Sequence, residues 1–293
     1  MAYFDIFNHP LKKEEIKGLL GVRANDRNLS ENFETLLNQQ LLFIEREFIS
    51  LQMSVEKLVN KRTEKEQRAR LYLKKLPFYT KLISSFPFVR GVAISGSLSK
   101  GVMHKKGDID YFIVTAKNRL WICRTLLILF KKTFLLNSRK YFCLNYFVDE
   151  DNLEIKDKNI FTAIEVTHLI PVFNSSIFET FRIKNNWTEK YFPQFSNPIN
   201  KKFYKARLES KKPIERLLSP NFGEKLDLFF MRLTVKRWAK KFGNFDAEKF
   251  ELTMRSNRGI SKHHPSDFQS KVLTAYEERL EKLNLTDEGP FFA

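Results

Sequence analysis

Residues Gly96 to Val114 read GSLSKGVMHKKGDIDYFIV, and this stretch decides the fold. Just before it, Phe88-Val89-Arg90-Gly91-Val92-Ala93-Ile94 is short, apolar and rich in residues that favour strands. Gly96-Ser97 then gives backbone that turns sharply and approaches a ligand closely. Its free amides and the Ser97 hydroxyl suit phosphate oxygens. After a polar spacer, Asp108-Ile109-Asp110-Tyr111-Phe112-Ile113-Val114 resumes a strand, and the period of two places Asp108 and Asp110 on one face. Two adjacent carboxylates repel unless positive charge lies between them. A hard divalent ion such as Mg²⁺ or Mn²⁺ takes oxygen ligands and bridges carboxylates to substrate phosphates.

The order strand, Gly-Ser, spacer, Asp-x-Asp resembles the nucleotidyltransferase superfamily that includes DNA polymerase beta, over roughly residues 86–150. The resemblance implies an α/β (α+β) fold with a mixed sheet flanked by helices. It implies nucleotide binding at Gly96, Ser97, Ser99 and Lys100, with Asp108 and Asp110 as catalytic residues and ligands of Mg²⁺ or Mn²⁺. The expected activity is transfer of a nucleoside monophosphate from an NTP to an acceptor hydroxyl. The family also carries a third carboxylate on a later strand. Here that strand, Tyr141 to Val148, has only Asn145 as an interior polar residue, so Asn145, Asp149 or Glu165 are the candidates for that position. Without a third acid, catalysis suffers more than nucleotide binding, and the alternative reading is a catalytically weakened regulatory protein that binds nucleotide or nucleic acid.

Four regions follow from the pattern. Residues 1–53 contain short helices followed by strand-like Leu42 to Leu51 around a charged turn, an order that resembles a winged-helix unit; Asn28 with Glu31 looks like a cap for a helix over about 29–40. That helix holds Glu31 and Glu34 and no Lys or Arg, which favours a protein partner over a DNA groove. Residues 54–85 read as a basic linker helix packing Leu58, Leu71, Leu76 and Leu82. The core spans 86–174, with a helix over 159–170 halted at Pro171, on which Glu165 and His168 share a face. Residues 175–293 read as helical, with helices at 177–186, 200–218, 226–242 and 268–283. Within them Arg255, Arg258, Lys262, His263 and His264 surround Gly259 as a candidate anion-binding loop; the adjacent histidines lack zinc-site spacing.

The chain has 293 residues, 29 of them Phe, and a formal charge of +17, so it can bury large cores and attract phosphates or other polyanions. Residues 56–75 hold eight basic side chains against three acids, and 201–241 hold thirteen against four. The acceptor stays open among RNA, protein and a small molecule, the charge tilting the balance toward a polyanion. Cys123 and Cys143 lie in apolar segments and read as small core residues. The most apolar window, Leu120 to Leu136, is broken by Arg124, Lys131 and Lys132 and is too short to span a bilayer. A cytoplasmic location is the expectation.

Overall fold

The computed structural model describes residues 1–196, 211–218 and 221–284. In chain order its elements are α1 (Ala2–Asp5), β1 (Leu11–Lys12), α2 (Lys13–Gly18), α3 (Asp26–Asn38), β2 (Phe43–Glu45), β3 (Phe48–Ser50), the long α4 (Val55–Ser84), β4 (Val89–Ser95), the single turn α5 (Gly96–Ser99), β5 (Asp110–Thr115), α6 (Leu120–Phe134), β6 (Cys143–Asp149), α7 (Ile160–Thr167), β7 (Ile170–Phe173), α8 (Ser175–Lys184), a 3-10 turn (Asn186–Lys190), α9 (Lys212–Leu217), α10 (Asn221–Lys241), α11 (Ala247–Met254), β8 (Ile260–Lys262) and α12 (Phe268–Lys282). The fold is mixed α/β. A five-stranded sheet runs β7-β4-β5-β6-β8, and a three-stranded sheet runs β1-β3-β2.

In the large sheet only the β5–β6 pair is parallel. Its crossover is α6, as a parallel connection requires. Alternation then sorts the side chains. Val92, Ile94, Tyr111, Ile113, Leu144 and Phe147 pack beneath α4 and α6, with Trp238 of α10. Ala93, Phe112, Val114 and Val148 face α1, α7, α8 and α12. Leu144 and Phe147 share a face although three residues apart, because the β5–β6 register slips between Tyr111–Leu144 and Phe112–Tyr146. That slip is a bulge centred on Asn145.

Several local readings change. Helix α7 stops at Thr167, and Ile170–Phe173 forms strand β7 instead of continuing the helix to Pro171. Pro171 is tolerated because β7 is an edge strand. The cap of α3 is Asn25, whose side chain accepts from the Asn28 amide at 2.8 Å; Asn28 itself lies inside the helix. On α4, Leu58 and Leu76 are buried as expected, whereas Leu71 is 59% exposed and Tyr72 takes the inward position. Most of the helix expected over 200–218 lies outside the described residues; α9 occupies Lys212–Leu217 within it.

Residues 1–53 are not insulated from the rest. Tyr3 and Phe4 of α1 join the same apolar cluster as Phe112 of the large sheet and Tyr276 of α12. A buried ion network fastens the opposite side of this unit to α4. Arg62 donates to Glu15 at 2.7 and 2.8 Å and to Glu66 at 2.8 Å. Its guanidinium also lies 4.7 Å from the centre of the Phe48 ring. Removing one member of such a group leaves the others uncompensated, so Arg62→Met is expected to lower stability by about 3 kcal/mol. Urea unfolding at constant ionic strength checks this, and an unchanged midpoint contradicts it.

Candidate functional site

Strand β4 ends at Ser95, and Gly96 turns the chain with φ +67° into α5. This left-handed backbone suits glycine. A Cβ at Gly96 would lie 2.6 Å from Asp110 Oδ2, so the glycine also makes room for the carboxylate. Asp110 is the first residue of β5, and Asp108 lies just before the strand rather than within it. Alternation nonetheless holds: Ile109 is fully buried in the core, and the two aspartates point together.

One oxygen each from Asp108 and Asp110 and the Cys143 sulfur lie within 4.8 Å of one another. The parallel register sets Cys143 opposite Asp110. Its thiol is held neutral: burial, then the Asp110 and Asp108 charges, push its pKa up. Burial and the Asp108 carboxylate likewise raise Asp110 to about 7, although the Cys143 thiol stabilises its charge. A site that resists its own negative charge is matched by a cation. Two carboxylates are hard oxygen donors fitting Mg²⁺ or Mn²⁺, whereas a neutral thiol adds little to such an ion.

Of the three candidates for a further ligand, Asn145 comes closest. The bulge turns its side chain so that Nδ2 donates to Asp110 Oδ1 at 3.0 Å. It steadies the carboxylate and adds no charge. Asp149 is corrected outright: it pairs with Thr115 at the other end of β5, about 16 Å along the strand from Asp110 at about 3.3 Å per residue. Only 2% exposed, it accepts from Asn152 at 2.7 Å and the Asp151 amide at 3.1 Å.

Glu165 does reach this neighbourhood, by another route. Its Oε2 accepts from the Gly96 amide at 3.3 Å and its Oε1 from Lys100 at 2.7 Å. Burial acts to raise its pKa, but the Lys100 ammonium outweighs it and the carboxyl is held below its usual range. It is not part of the Asp108–Asp110–Cys143 cluster found among the described residues. His168, one turn further along the same face, is engaged elsewhere. Its ring bonds the Ile164 carbonyl at 2.8 Å and packs tilted against the Phe195 ring at 4.7 Å, with its pKa lowered to about 4 by burial and by Lys100.

In the turn, Ser97 faces open space while the buried Ser99 hydroxyl donates to the Gly96 carbonyl at 2.9 Å. Ser99 therefore shapes the turn. Lys100 also donates to that carbonyl, at 3.1 Å. The open space is a cavity of about 520 Å³ bordered by Gly96, Ser97, Asp110 and Asn145 on one side. Tyr3, Phe4 and Phe7 wall it from the amino-terminal segment, Phe161 from α7 and Phe268 from α12.

The 255–265 segment is not a free anion-binding loop. Ile260–Lys262 is strand β8, paired with β6. Asp157 accepts from Arg255 at 2.8 Å and Lys262 at 2.9 Å, and Arg258 pairs with Glu224. His263 lies 4.8 Å from the Trp238 ring; burial and then Arg124 lower its pKa to about 3. His264 borders the cavity beside Tyr146, lowered to about 4 by burial and Lys262. The positive charge of this segment is thus largely spent on internal carboxylates.

Cys143 was hidden in the sequence by its apolar strand; its place opposite Asp110 depends on a parallel register that no local pattern announces. Comparison with family models, with curated proteins and with solved structures finds no match to this chain.

The strained carboxylate pair has a measurable signature. In chelator-containing buffer, the Asp110 carboxyl of the folded protein keeps its proton up to about pH 7, whereas the unfolded chain releases it near its ordinary value of 3.8. Between these limits the folded state binds the extra proton, so stability falls as pH rises. Asp110→Asn is therefore expected to stabilise the metal-free protein at pH 8 by up to about 4 kcal/mol, and to lose that advantage below pH 4. Denaturant unfolding at the two pH values checks it; an increment equal at both contradicts the carboxyl as its source.

Proposed function

We propose that this chain is a divalent-metal-dependent nucleotidyltransferase. The observation that carries the reading is the convergence of Asp108 and Asp110 beside the Gly96-Ser97 turn, with Asp110, Gly96 and Ser97 bordering one open-mouthed cavity. Asp108 and Asp110 would hold Mg²⁺ or Mn²⁺, which when bound neutralises negative charge on the phosphates. Asn145 fixes the Asp110 carboxylate through its amide, and the turn brings Ser97 to the nucleotide. An acceptor hydroxyl oxygen forms a bond to the α-phosphorus, the bond from that phosphorus to the oxygen bridging it to the β-phosphate breaks, pyrophosphate leaves with that oxygen, and the hydroxyl proton passes to water. The protein's part is positioning and charge neutralisation.

A second reading is a catalytically weakened nucleotide- or nucleic-acid-binding regulator. It is favoured by Asn145, an uncharged amide where the resemblance implies an acid. On either reading the order of α1 to β3 suits a winged-helix-like unit that offers a surface to a protein partner. Incubation with each α-³²P NTP and Mg²⁺ or Mn²⁺, together with RNA, lysate protein or a small-molecule extract, separates the two. Label in one fraction with release of pyrophosphate supports the enzyme and names its acceptor; metal-dependent nucleotide binding without transfer supports the regulator. Among the described residues no helix is long and apolar enough to cross a membrane.

A further inference from the structure

The lysines that border the cavity, Lys65, Lys100 and Lys262, and the arginines beside Lys65 on α4 are not equivalent; Lys262 is paired with Asp157. Lys100, the basic residue of the turn itself, is already neutralised by Glu165, which also occupies the Gly96 amide. Arg62 on α4 is paired with Glu15 and Glu66, and Arg68 with Glu64. Between those two arginines, three residues from each, Lys65 borders the cavity. Its ammonium has no acid partner among the described residues. Burial, Lys61 and Arg68 all act against its charge. His104 borders the same cavity and is disfavoured as a cation by the partial burial of its ring, by Lys65 and by Arg68.

This placement is built rather than incidental. The Met103 amide donates to the Lys65 carbonyl at 3.0 Å, Arg68 donates to the Met103 carbonyl at 2.9 Å, and the Tyr72 hydroxyl to the Gly107 carbonyl at 3.1 Å. Three bonds thus pin α4 to the spacer joining the Gly-Ser turn to the aspartates. Unpaired positive charge at the wall of a cavity, on a helix fixed against that wall and with like charges at its back, is satisfied by a multiply charged anion.

We propose that Lys65, with His104 and the Ser97 hydroxyl, binds the terminal phosphates of the nucleotide and the pyrophosphate that leaves. The identity of the anion rests on the nucleotidyltransferase reading; the site itself rests on the unpaired charge. Lys65, and not Lys100 of the motif, then supplies the cation for these phosphates.

The test is calorimetric titration of the full chain with inorganic pyrophosphate, with and without Mg²⁺. The variants are Lys65→Met, Lys65→Arg, and Lys61→Met, which makes the same charge change on the exposed side of α4. Lys65→Met is expected to weaken binding by about tenfold or more, the loss of one charge-assisted contact; Lys65→Arg, which keeps the charge, and Lys61→Met, which removes an exposed and solvent-screened one, stay within about twofold of the wild type. Equal binding by wild type and Lys65→Met overturns the assignment, as does equal weakening by Lys61→Met or the absence of any pyrophosphate binding. Because the readout is binding, it is separable from the activity. Lys65-dependent pyrophosphate binding without label transfer would uphold this site and remove the transferase reading. Label transfer with an unchanged KM for NTP in Lys65→Met would do the reverse.

Discussion

The protein carrying both Asp108→Ala and Asp110→Ala is expected to fold, to unfold at no lower denaturant concentration than the wild type at pH 8, and to transfer no label. Ordinary catalytic residues at a polar surface cost little to remove. Here removal relieves a repulsion, because burial and Asp108 already oppose the charge on Asp110. The rate should fall on the order of a thousandfold or more, since the carboxylates hold the charge that offsets the phosphates. Residual transfer within tenfold of the wild type would place the chemistry elsewhere in the cavity. Loss of folding would show that the pair is structural, and the account of its strain would fail with it.

Gly96→Ala is the second large effect, and it acts through geometry alone. The turn has φ +67° and an added Cβ would meet Asp110 Oδ2 at 2.6 Å. The left-handed backbone costs about 1–2 kcal/mol for a residue with a Cβ. The carboxylate must also shift, breaking its alignment with Asp108 and its bond from Asn145 at 3.0 Å. Displacement of that order in a reacting centre costs about a hundredfold in rate. Urea unfolding and label transfer measured on the same preparation check both parts. If the rate drops and stability does not, the strain argument is wrong; if stability alone drops, Asp110 does not need its present position.

These predictions rest on features that differ in how visible they are in the sequence. The Gly-Ser turn and the aspartate pair are local patterns, readable because a sharp turn needs glycine and alternation puts residues two apart on one face. The mixed sheet and the helices α4, α6, α8, α10 and α12 follow from runs of apolar residues long enough to fix their period. Strand β7 escaped because Ile170-Pro171-Val172-Phe173 continues the apolar run of α7, and a proline there stops a helix as readily as it sits in an edge strand.

The remaining members of the site are products of tertiary arrangement. Glu165 reaches the turn only because β7 returns beside β4 and carries α7 back over the sheet. Cys143 joins the aspartates through the parallel pairing of β5 and β6. Lys65 is one of eight basic residues between 56 and 75, and nothing local separates it from Arg62 or Arg68. What distinguishes it is the lack of a carboxylate partner, and partners are assigned by packing. The basic cluster around Gly259 shows the converse: its density suggests an anion site, yet Asp157, Glu251 and Glu224 answer Arg255, Lys262 and Arg258.

The most direct test of the central claim is Mn²⁺ titration followed by electron paramagnetic resonance, on the wild type and on the Asp108→Asn, Asp110→Asn protein, which keeps the shape of the site and removes its charge. The wild type should hold Mn²⁺ at a site that the double variant lacks, and added NTP should change the spectrum of the bound ion only in the wild type. Equal Mn²⁺ binding by the two proteins would contradict the assignment of Asp108 and Asp110 as the cation site.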